Sequence, residues 1–129
     1  MRLFSCLLII LAISACSDDD GLLSDFTGNE MVYNLVSDPQ YYDGDGTVTF
    51  KERVDEGVTI EIDMEPTGSG GLHPAHLHYG TYDIPDAPMA AMLTPVDATT
   101  GSSTTTIYQL LDDSKITYAD ILSFDGSIK

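Results

Sequence analysis

Cysteine is nearly absent: the 129 residues hold two, Cys6 and Cys16, both close to the N-terminus. A domain folded from residue 30 onward therefore has no disulfide available and must be held by a hydrophobic core. Basic residues are scarce as well. Five Lys and Arg stand against 21 Asp and Glu, a formal net charge of -16. Such a charge argues against nucleic acid and against direct adsorption on anionic lipid, and neither is expected as a partner. The acidic surface serves solubility and gathers cations near any weak site. No Gly-x-Ser-x-Gly elbow, phosphate-binding loop or dinucleotide fingerprint occurs. No internal repeat or second domain is visible, and a non-enzymatic protein is expected.

The N-terminus reads as an export signal. Met1-Arg2 is a short positive start, residues 3–13 are apolar apart from Ser5, and Ile13-Ser14-Ala15-Cys16 sets small residues before a cysteine. The apolar stretch is too short for a permanent membrane helix, and its small-residue end suits cleavage. The string resembles a bacterial lipobox. Residues 1–15 are expected to leave as a signal peptide, taking Cys6 and Arg2 with them, and Cys16 to carry lipid as the first mature residue. Four basic residues then remain. Ser17-Asp18-Asp19-Asp20 resembles the surface-export signal of lipoproteins in some Gram-negative bacteria. Residues 16–29 are expected to form an acidic, flexible tether. The expected location is the outer membrane or cell surface, with the lipid as the membrane contact.

From Glu30 the chain reads as β, and residues 30–129 are of one-domain size. Met31, Tyr33 and Leu35 alternate with Val32, Asn34 and Val36. Residues 37–46 are a loop. Residues 47–54 alternate again, with Val48, Phe50 and Val54 on one face. Asp55-Glu56-Gly57 is a turn in which Gly57 offers positive φ. Residues 58–65 show the cleanest period of two: Val58, Ile60, Ile62 and Met64 inward, Thr59, Glu61, Asp63 and Glu65 outward. A Gly-rich loop (66–71), an extended segment (75–79), an irregular stretch (80–88), a short apolar strand (89–93) and a β-rich run (102–111) follow. Asp112-Asp113-Ser114 turns the chain. Thr117 caps a short helix, with Asp120 at the position favoured by its positive end, and Asp125-Gly126 stops it. The expected fold is all-β, an antiparallel sandwich or barrel with one helical turn.

All three histidines lie in His73-Pro74-Ala75-His76-Leu77-His78. Residues two apart in an extended segment share a face at roughly 7 Å, so His76 and His78 are placed to chelate one ion. Pro74 is able to redirect His73 toward them. Three imidazoles suit copper or zinc. The alternative is that His76 and His78 hydrogen-bond loop backbone and bind nothing. The spacing resembles the copper strand of copper/zinc superoxide dismutase, but no histidine follows His78 to complete two metals, so dismutase activity is not expected. Met89 and Met92 offer thioethers to copper(I), or fill the core. Asp43-Gly44-Asp45-Gly46 hints at a calcium loop, but Thr47 and Val54 stand where further ligands are needed.

Gly46-Thr47-Val48-Thr49-Phe50, residues 58–64, the histidine hexapeptide and Ile116-Thr117-Tyr118-Ala119-Asp120-Ile121-Leu122-Ser123-Phe124-Asp125-Gly126 together resemble the CHRD (chordin-type) domain of bacterial lipoproteins. The likeness spans roughly residues 30–129. It implies an immunoglobulin-like or dismutase-like β-sandwich that binds an unidentified protein or cell-envelope ligand. The family continues past the second motif with Asn-Val-His and closing strands, whereas this chain ends Ser127-Ile128-Lys129. The resemblance thus implies a sheet short of its closing strands, with an exposed edge.

Overall fold

The period-two pattern of residues 58–64 becomes the interior of the sheet. In the computed structural model, which describes residues 24–36, 44–68 and 70–129, Val58, Ile60 and Ile62 are at most 3% exposed. The signal peptide, Cys16, the acidic run after it and Asp43 lie outside the described residues.

Seven strands and one helical turn follow in order: β1 (Phe26–Asn34), β2 (Gly46–Arg53), β3 (Val58–Met64), β4 (Leu72–Tyr79), β5 (Met89–Asp97), β6 (Ser102–Ile107), α1 (Tyr118–Ile121) and β7 (Gly126–Ile128). They form one sheet, ordered β1-β2-β3-β6-β5-β4-β7, with every pairing antiparallel. Between β5 and β6 the register holds a single pair, Asp97↔Ser102. There the sheet curls, so that Val48, Phe50, Val58, Ile60 and Ile62 share one core with Ala75, Leu77, Ala91 and Leu93. The all-β, sandwich-like class with one short helix is as the sequence implies; the two layers are halves of a single curled sheet.

The hinge of that curl depends on Gly101. Its φ is +74, a left-handed conformation that costs a side chain strain. Gly101 N–H donates to Asp97 O at 2.7 Å, and Met64 N–H donates to Gly101 O at 2.8 Å. A Cβ at this position would lie 1.9 Å from Met64 O.

Several local expectations are corrected. β1 begins at Phe26, inside the stretch read as tether, with a register shift between Phe26 and Glu30. Val54 lies beyond β2 and is exposed. In the 55–57 turn the positive φ belongs to Glu56 (68). Gly57 is needed for space instead: a Cβ there would lie 2.6 Å from the Tyr108 ring. Thr59, expected to face water, is buried. β5 extends to Asp97 and carries an extra residue against β4 at two places, once beside Ala90 and once across Thr94-Pro95. Proline within a sheet is confined to such bulges and edges. At the first bulge both Ala90 and Ala91 point inward and are buried.

The helix cap is as expected. Thr117 Oγ1 accepts from Asp120 N–H, and the Asp120 carboxylate accepts from Thr117 N–H at 2.8 Å, a reciprocal capping box. The C-terminal residues form a strand of their own. β7 pairs with β4, and the backbones of His76 and Lys129 exchange hydrogen bonds of 2.8 and 3.0 Å.

Candidate functional site

β4 has two different faces because its residues alternate. Ala75 and Leu77 point into the core and are at most 4% exposed, which sends His76 and His78 to the opposite face. Their ring centroids are 5.8 Å apart, edge to face. His78 Nδ1 lies 2.7 Å from Ala87 O. A carbonyl only accepts, so Nδ1 carries the proton and Nε2 keeps its lone pair in the neutral ring. The backbone hydrogen bond weighed as a structural role for the histidines is therefore made by His78, with one nitrogen left over.

His73 is exposed and three residues from His76, an odd spacing that places it on the other side of an extended strand. Pro74 does not bring it back: among the described residues no three His, Cys, Asp or Glu side chains converge to hold an ion. What the sequence left unpaired is the methionines. Met92 is the register partner of His76 and Met89 that of His78. Met92 is 65% exposed, so it does not fill the core.

A second candidate lies on the inner side of β4. The end strands of the sheet, β1 and β7, are not paired with each other among the described residues. A cleft of about 430 Å³ opens at this seam, lined by Tyr33, Leu35, Val48, Phe50, Leu77, Tyr82, Ile121, Phe124 and Ile128. Tyr33 packs edge-on to Phe50, with centroids 6.1 Å apart. The 116–126 motif supplies Ile121, the last residue of α1, and Phe124, in the turn after it, to the floor. Period-two reading placed Tyr33 with Leu35 and assigned Val48 and Phe50 to one face, but had no means of finding the seam.

Electrostatic pressure is concentrated elsewhere. Asp55 accepts from Arg53 Nε at 3.0 Å, Tyr108 Oη at 2.9 Å and Gly57 N–H at 3.2 Å. The Arg53 bond foremost, then those of Tyr108 and Gly57, hold its carboxyl down at about 2. Asp120 is also lowered, by the Thr117 side chain and then the Thr117 backbone. These groups tie turns and a cap together; none lines the cleft or the histidine face.

No family model, curated protein or solved structure matches the chain.

Proposed function

We propose that this protein is a non-enzymatic binding module of CHRD type, anchored through lipid on Cys16 at the outer membrane or cell surface. Its ligand is an extended segment of a protein partner, taken at the seam between β1 and β7. The observation that carries this reading is an apolar cleft bordered by both end strands of the sheet. An open edge offers backbone N–H and C=O groups for main-chain pairing, and a neighbouring apolar pocket selects side chains. The lipobox-like string and the acidic run after it support the anchor and the location.

Two experiments test the two halves. Metabolic labelling with palmitate marks the protein in a bacterial host, and Cys16→Ala abolishes the label; an unlabelled soluble protein sinks the anchor. Peptides selected from a random display library on the full chain carry alternating apolar residues. Their affinity falls at least tenfold on Leu35→Asp or Tyr33→Glu. Selected peptides that bind both variants unchanged would place the ligand elsewhere.

A further inference from the structure

The outer face of β4 and β5 brings imidazole and thioether donors together. His76 and His78 stand with ring centroids 5.8 Å apart, and an ion about 2 Å from one nitrogen of each ring fits within that span. The His78 bond to Ala87 O at 2.7 Å fixes its ring and frees Nε2, as outer-shell bonds do for metal-bound histidines. Each imidazole has a methionine opposite it, Met92 for His76 and Met89 for His78. Register partners share a face with Cβ atoms about 4.5–5.5 Å apart, within reach of a thioether. Met92 projects between buried Ala91 and Leu93 and is 65% exposed. On the other flank Ser127, the partner of His78 in β7, has a buried Oγ with no hydrogen-bond partner.

We propose that this face is a copper(I) site, with His76, His78 and Met92 as ligands and Met89 closing the fourth position. Thioethers are soft ligands that select copper(I), whereas zinc favours imidazole, thiolate and carboxylate and copper(II) favours nitrogen and oxygen donors. Among the described residues no cluster of carboxylates or thiols joins the pair. Lys129 lies opposite His76 with its ammonium bonded to Ile84 O, and that charge repels a monovalent ion less than a divalent one. His73 takes no part. The site goes beyond the seam: Leu77, between the two histidines, faces the cleft on the other side of β4, so either site can fail without the other.

The test uses the full chain carrying Cys6→Ser and Cys16→Ser, so that no thiol competes, titrated anaerobically under reducing conditions against the copper(I)–bicinchoninate complex. The chain withdraws one copper(I). His76→Ala and Met92→Leu each weaken binding tenfold or more, and His73→Ala leaves it unchanged. X-ray absorption shows sulfur next to copper, diminished in Met92→Leu. Met92 is exposed, so its replacement by leucine leaves the fold intact by circular dichroism, and this variant decides the matter if His76→Ala does not fold. The proposal is overturned if no copper leaves bicinchoninate, or if Met92→Leu keeps full affinity and unchanged sulfur scattering. It is equally overturned if His73→Ala weakens binding as much as His76→Ala, or if equimolar zinc displaces the copper.

Discussion

Thr59 and Thr106 share a hydrogen bond of 2.9 Å between their hydroxyls across the β3–β6 ladder. Thr59 is 2% exposed although it belongs to the polar set of its strand. Its other register partner is Lys51, whose ammonium meets Glu61 at 2.7 Å and lies 5.7 Å from the Phe26 ring centroid. Long side chains and an aromatic ring from β1 thus cover what the alternation left as the wet face. Thr59→Val keeps the shape and leaves the Thr106 hydroxyl to water, so its expected cost is about 1 kcal/mol or less. Thr59→Asp buries a charge and is expected to lower stability far more. Urea denaturation of the two variants checks the order.

Ile60 and Glu61 are neighbours with opposite environments. Ile60→Ala removes a side chain that is 1% exposed and leaves a cavity, at an expected cost of about 2–5 kcal/mol. Glu61→Ala loses only the half-exposed pair with Lys51, which is worth at most about 1 kcal/mol. A reversal of the two in urea midpoints would mean that β3 is registered one residue out, since a single slip exchanges the faces.

Gly101 and Gly28 separate backbone strain from collision. Both have positive φ, +74 and +95, but nothing lies within 4 Å of a Cβ at Gly28. Gly28→Ala is expected to cost about 1–2 kcal/mol from conformation alone. Gly101→Ala must also move Met64 out of hydrogen-bond contact at the hinge, and is expected to exceed about 4 kcal/mol. Thermal unfolding midpoints of the two variants measure the difference. Equal losses would show that the hinge relaxes around the new methyl.

Asp55 predicts part of the acid limb of stability. Its carboxyl is lowered in the fold from an ordinary 3.8 to about 2 by Arg53, Tyr108 and Gly57. A depressed folded pKa contributes stability that is fully present above the unfolded value and fades as pH falls through the folded one. The window is therefore between about pH 4 and pH 2. Asp55→Asn should flatten the dependence of unfolding free energy on pH within that window, leaving the slope above pH 5 unchanged. An identical acid limb in the variant would show that the Arg53 contact persists in the unfolded chain.

What the sequence by itself determined is local. Period-two alternation specified β2 and β3 and the hairpin joining them, because burial of one pleated face demands it within a few residues. Thr117 and Asp120 specified the helix start, because a cap acts within one turn. The spacing of His76 and His78 put two imidazoles on one face for the same reason. Only the tertiary structure decided the rest. Two extra residues in β5 shift its register against β4, and that register, set by long-range pairing and by what the core accommodates, places Met92 beside His76 and turns both Ala90 and Ala91 inward. Phe26 became strand because Arg53 and Lys51 were there to receive it, and Ser127-Ile128 because β4 had a free edge. The seam cleft follows from how far a seven-stranded sheet curls about the Asp97–Ser102 hinge. That curvature comes from accumulated strand twist and from a glycine that alone fits beneath Met64, and no pattern read along the chain contains it.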